Sequence, residues 1–123
     1  MTQLPITTQR RGFDLEERTL TFAKQVIQVC RTVPHDTVNR ELVSQLIRAS
    51  SSIGANYREA NDALSKKDFG HRIRIVRREA KEAHVWLQLL AEAQPSVNGQ
   101  VPKLLQEALE LKKIFSAIVE KTT

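Results

Sequence analysis

The sequence predicts an all-α protein, an antiparallel up-down four-helix bundle, and three observations carry that expectation. Apolar residues recur at steps of three and four through four separate stretches, the spacing of one helix face. Short connections such as Val33-Pro34-His35-Asp36 and Gln94-Pro95-Ser96-Val97-Asn98-Gly99 separate them, so neighbouring helices must turn back on one another. Leu, Ala, Glu, Lys, Arg and Gln dominate while aromatic residues make up only 5%, a balance that favours helix over a β-sandwich. At 123 residues the chain suits one domain with a real core and is short for two.

Residues 1–12 lack periodicity and read as an N-terminal arm ahead of a single bundle domain, residues 13–123. Asp14 and Glu17 have the spacing of a helix N-cap and its return partner. From there Leu20, Ala23, Ile27 and Cys30 mark a first helix to about Thr32, and the turn at Pro34 stops it. A second helix begins near Asn39 with Leu42, Leu46, Ala49, Ile53, Asn56, Ala60 and Ala63 on its apolar face. That stripe passes without a break through "SSSIGANYREAN" (residues 50–61), although Ser, Gly and Asn are poor helix formers. An unbroken phase argues for helix, with small side chains serving close helix contact. Ser50, Gly54 and Tyr57 flank the stripe, and Asn56 on it is expected to fix register through buried hydrogen bonds.

Ser65 and Asp68 open a third helix as a capping box, followed by Phe69, Ile73, Val76, Ala80, Ala83, Leu87 and Leu90. The fourth carries Val101, Leu104, Ala108, Leu111, Phe115 and Ile118. Phe22, Val26, Val29, Ile47, Leu105, Leu109 and Val119 lie beyond these stripes and read as apolar surface that a subunit interface would cover. Trp86 is either a flank-packing residue or an anchor in such an interface. The candidate helix-packing or interface set is therefore Ser50, Ile53, Gly54, Asn56, Tyr57 and Trp86.

Net charge is +5 and the pI about 9.7, a hint of acidic partners such as nucleic acid. The excess is local: residues 1–64 hold eight Lys/Arg against seven Asp/Glu, and residues 65–123 hold eleven against seven. On a wheel of 100° per residue with Ile73 at zero, Lys67, His71, Arg74, Arg78 and Lys81 fall between about 80° and 160°. Cations at one-turn spacing on a rigid helix suit a phosphate backbone, and Arg can clamp a phosphate with two hydrogen bonds. The same band also fits a solvated face or an acidic protein partner. No aromatic residue interleaves it, so backbone contact is expected rather than base stacking.

Catalytic patterns are missing. The bundle lacks the inward Glu-x-x-His pairs of di-iron proteins. Asp68 and His71 come nearest, but they point away from the core stripe; His84 lies on another face, and His35 sits in a loop. The serine run has no histidine at an activating spacing. Cys30, the sole cysteine, reads as a buried structural thiol and allows no internal disulfide. No signal-peptide pattern and no membrane-length apolar run occur, so a cytosolic protein without enzyme activity, metal or cofactor is expected.

The run "RASSSIGANYREANDALSKKDFGHRIRIVRREAKEAHVWLQLL" (residues 48–90) resembles the bacterial four-helix-bundle proteins encoded within intervening sequences of 23S ribosomal RNA genes, also called S23 ribosomal protein-like. Arg48, Ser52, Ile53, Asn56, Glu59, Ser65, Lys67, Phe69, Glu79, Trp86 and Leu87 carry the likeness. Gly70 departs from it, standing where a bulkier apolar residue is expected, which should loosen one packing contact. The resemblance implies a homo-oligomer, a pentameric ring, with a nucleic-acid role also seen in the related accessory proteins of diversity-generating retroelements. It brings no catalytic residues. The combined expectation is a bundle that associates with itself and binds structured RNA or DNA through helix three.

Overall fold

The computed structural model consists of α1 (Leu4–Cys30), α2 (Thr37–Asn61), α3 (Lys66–Ala93) and α4 (Val101–Lys121), with a 3-10 turn at Pro95–Val97 between the last two. It describes the backbone of residues 4–122 and the side chains of residues 14–122. Contacts between successive helices pair rising with falling residue numbers. Asn61 donates to Glu16 while Gly54 lies against Thr19, so α1 and α2 are antiparallel. Arg72 to Asn56 and Arg48 to Glu82 establish the same for α2 and α3. The start of α3 at Gly70 lies beside Thr122, just past the end of α4. The expected up-down four-helix bundle is the fold. α1 and α4 close it and touch less than the sequential neighbours do, with Arg18 donating to both carboxylate oxygens of Glu107 at 2.6 and 2.9 Å.

Side-chain caps set two of the helix starts. Asp36 accepts from the Asn39 backbone N–H at 2.8 Å to open α2, and Ser65 accepts from that of Asp68 at 3.1 Å to open α3, as its capping pattern predicts. The Asn39 side chain, 2% exposed, then donates to the Pro34 carbonyl and to Gln94, tying the α1–α2 turn to the end of α3.

The start of α1 departs from expectation. The helix begins at Leu4, not at Asp14, and Pro5 in its first turn is a position that needs no N–H donor. Residues 4–12, expected as an arm, are thus helical in backbone; residues 1–3 lie outside the described residues, as do the side chains before Asp14. Asp14 and Glu17 instead lie within the helix and are exposed.

The buried face of α1 also differs. Leu15, Thr19, Phe22, Val26 and Val29 point inward, while Leu20 and Ile27 are 37% and 40% exposed. Ala23 and Cys30 are buried on the same side as the true face. Two apolar stripes compete on this helix, and the one with Phe22 and the valines wins because it buries more apolar surface. Phe22, Val26, Val29 and Val119 therefore belong to the core and are not free for an interface; Ile47, Leu105 and Leu109 are half-buried.

α2 runs helically through the serine stretch, as predicted, but its core face turns. An α-helix drifts about 20° per heptad from a strict seven-residue repeat. One turn beyond Ile53 the inward residue is consequently Tyr57, 4% exposed, whereas Asn56 is half-buried towards α3. The Tyr57 ring packs 5.3 Å from that of Phe115 on α4 at 60°. Ser50 is a core residue too, 1% exposed, its hydroxyl donating back to the Ile47 carbonyl. Asn56 accepts from Arg72 and donates to the Ser52 carbonyl, so its cross-helix bond exists at the edge of the core rather than inside it.

Gly54 lies where α2 passes close to α1. A Cβ there would lie 3.0 Å from the Thr19 hydroxyl, which is held by its own bonds to the Leu15 and Glu16 carbonyls at 2.8 and 3.1 Å. Gly54→Ala gains about 0.8–1.0 kcal/mol in helix propensity, and a neighbour that cannot withdraw cancels it. Gly54→Ala alone is therefore expected to be neutral or destabilising in urea denaturation. In a Thr19→Ala background the same change is expected to stabilise by about 1 kcal/mol. Strict additivity of the two changes would show that the contact does not matter.

Gly70 is buried, and a Cβ there would meet Thr122 and Arg74 at 3.2 Å each. The expected loose contact is a close one, where the end of the α4 segment crosses the start of α3.

Candidate nucleic-acid interface

α3 is built as two opposed faces. Ile73, Val76, Ala80, Ala83, Leu87 and Leu90 are all 0% exposed and face the core. Lys67, His71, Arg74, Arg78 and Lys81 are all exposed. The helix wheel sets them on the outward side, opposite the core. Successive members are three or four residues apart, about one turn, so a row of about 21 Å runs from Lys67 to Lys81.

The fate of nearby carboxylates decides whether that row is free. Glu79 is 4% exposed and accepts from Arg48 of α2 at 3.3 Å. Glu82 accepts from the same guanidinium at 2.8 Å, and this bond raises the Arg48 pKa above its ordinary value more than the pull of Glu79 does. One arginine on the neighbouring helix thus engages both acids of the central part of α3. Arg78 reaches Glu79 only at 3.4 Å, and Lys67, Arg74 and Lys81 have no ion pair among the described residues. Counter-charge is drawn to the α2 side, and the cations are left facing solvent.

This architecture can be set beside known proteins. Residues 12–117 match the family model described as 23S rRNA-intervening sequence protein. The chain belongs to that family. Its fold is similar to the crystal structure of a protein with unknown function from the S23 ribosomal protein family from Bacteroides thetaiotaomicron VPI-5482, with TM-score 0.76 and 27% sequence identity. The match covers 89% of this chain and 97% of that one. No curated protein matches the sequence.

In this 23S rRNA-intervening sequence protein the sequence-predicted residues separate into two groups. The basic row comes together as one surface. Ile53 and Tyr57 are core, Gly54 packs against α1, and Asn56 joins α2 to α3, so these residues of the serine-rich run serve packing within the chain. Trp86 is half-buried, and its indole N–H is buried without a hydrogen-bond partner among the described residues, a cost of about 1–3 kcal/mol. It lines an open cleft of about 610 Å³ together with Val85, Ile75, Arg77 and four members of the basic row. Arg77 and Val85 were not visible as partners of the row because the wheel separates them from it or gives them no charge. Arg48 was missed because its action depends on how α2 is rotated against α3.

Other chemistry is sparse. Among the described residues no group of three or more His, Cys, Asp or Glu side chains gathers to hold a metal. No described helix is long and apolar enough to cross a membrane. Burial pushes the Cys30 thiol up to about 11, so little nucleophilic thiolate forms near neutral pH. Cys30 is accordingly expected to react with a thiol reagent at pH 8 at least about tenfold more slowly in the folded protein than in denaturant. Equal rates in the two states would show that the site is open.

Proposed function

We propose that this 23S rRNA-intervening sequence protein is a non-enzymatic, self-associating module, cytosolic in setting, that holds the backbone of structured RNA or DNA along α3. The observation that carries the reading is the exposed cation row on the outward face of a rigid helix, in which Arg78 alone makes an ion pair among the described residues, a long one of 3.4 Å to Glu79, while Glu79 and Glu82 are engaged by Arg48. Each phosphate neutralised releases counterions, so affinity depends steeply on salt and weakly on sequence. Copies of the row in an oligomer multiply a modest contact into useful avidity. Self-association is supported by Leu20 and Ile27, which project from the α1–α2 side in line with each other.

The test is the native mass of the purified protein with and without a ribosomal RNA fragment, at low and moderate salt. A species near 70 kDa, five chains of 14.0 kDa, that takes up RNA and releases it as salt rises is the expected result. A monomer that ignores RNA contradicts both parts of the proposal.

A further inference from the structure

We infer that the α3 face is built for a nucleic acid with an unpaired base next to the bound phosphates, a single strand or an open loop, in preference to a continuous duplex. This rests on the phosphate-binding reading above and adds to it the class of nucleic acid. Sequence alone gave no aromatic residue within the basic row. The structure puts one in the same cleft, because Trp86 lines it alongside Val85 and the cations of the row.

The geometry of that end of the cleft is apolar. Val85 is 49% exposed and Leu89, one turn further on, 43%. Trp86 is half-buried with its Nε1 turned into the protein, so the part of the indole that reaches solvent is its hydrocarbon ring. Such a surface offers apolar and aromatic contact and no indole hydrogen bond, which suits packing against any base and reads no sequence. The one acid lining the cleft, Glu82, is engaged by Arg48 at 2.8 Å and so repels a phosphate less than a free carboxylate does.

Distance fits one strand crossing both parts. Lys81 and Val85 are about 6 Å apart along the helix axis, and Arg78 and Trp86 about 12 Å, within the reach of long cationic side chains to the phosphates flanking one splayed nucleotide. A duplex keeps its bases stacked inside, so it can use the cations but leaves Val85 and Trp86 without a partner.

Trp86 is the chain's one tryptophan, so its fluorescence reports on this site alone. The probes are an oligoadenylate long enough to span the row and the same strand annealed to its complement, at equal salt. The expected result is about tenfold tighter binding of the single strand, as one stacked base gives, with strong quenching of Trp86 that the duplex does not produce. Trp86→Leu is expected to remove that preference while leaving duplex binding within about twofold, and Trp86→Phe to keep most of it. Because quenching is read on the unaltered protein, the test survives any folding defect in a variant. Equal affinities with unquenched Trp86 would overturn this inference and leave backbone binding standing. Failure of both probes to bind would overturn the backbone reading, and this one with it.

Discussion

Phe115→Ala is expected to lower the stability of the bundle by about 3–5 kcal/mol, the range for truncating a fully buried Phe. Phe115 is 0% exposed and faces Tyr57 at 5.3 Å, so its loss leaves a cavity and removes a tilted aromatic pair worth about 0.5–1.5 kcal/mol beyond the buried area. A domain of this kind has roughly 5–15 kcal/mol in total, so the change removes about a fifth of it or more. Urea denaturation at one fixed protein concentration is the measurement, since self-association makes apparent stability depend on concentration. The midpoint should fall with the slope unchanged. Leu20→Ala is the control: the side chain is 37% exposed, and on the isolated chain its removal is expected to cost within about 0.5 kcal/mol. A Phe115→Ala loss below 1 kcal/mol would mean that α4 is not seated against α2 as described.

That contrast between Phe115 and Leu20 also measures what the sequence could and could not reveal. α3 was legible almost residue by residue. It has one continuous apolar stripe, a basic row on the opposite face and a capping Ser65, so a single rotation buries the stripe and exposes the row, leaving Val85 and Leu89 as apolar exceptions at the surface. α1 offered two stripes a fraction of a turn apart. Spacing alone cannot rank Leu20 and Ile27 against Phe22 and Val26; what ranks them is the surface each buries against α2 and α4. The turn from Asn56 to Tyr57 had another cause. A strict heptad runs ahead of a helix with 3.6 residues per turn, and two heptads beyond Leu42 the inward position is Tyr57 in place of Asn56.

The basic row was legible for the reason that α3 was: angular positions on a straight helix follow from residue number alone. Its freedom from counter-charge was not. The wheel sets Glu79 on the other flank of the helix, but Glu82 lies beside Arg78 and Lys81, and a helical net gives no reason for it to turn away. Arg48, more than thirty residues earlier, engages both acids, and its reach is set by the packing of α2 on α3. Features carried by one element can be read along it, and features carried by two require their relative placement. Every residue that lines the cleft with Trp86 lies on α3, so that grouping is of the first kind; the burial of the indole N–H is of the second.

Arg74→Glu combined with Arg78→Glu is expected to weaken RNA binding by at least about a hundredfold at low salt, counting ~1.5–3 kcal/mol for each lost charged contact. Each reversal removes two units of charge, taking the chain from +5 to +1 and placing like charge against the phosphates. The fold should tolerate this, because both side chains are exposed and the weak Arg78–Glu79 contact leaves Glu79 its bond to Arg48. A milder pair, Arg74→Gln with Arg78→Gln, separates loss of attraction from added repulsion. It is expected to flatten the slope of log K against log salt by about two per bound chain. Native mass read on the same samples distinguishes two failures. Unaltered RNA binding by the reversed protein places the nucleic acid on another face. Dissociation of the oligomer instead identifies the row as a subunit contact, because Lys67, Arg74 and Lys81, which have no ion pair among the described residues, would then have found acid partners on a neighbouring copy.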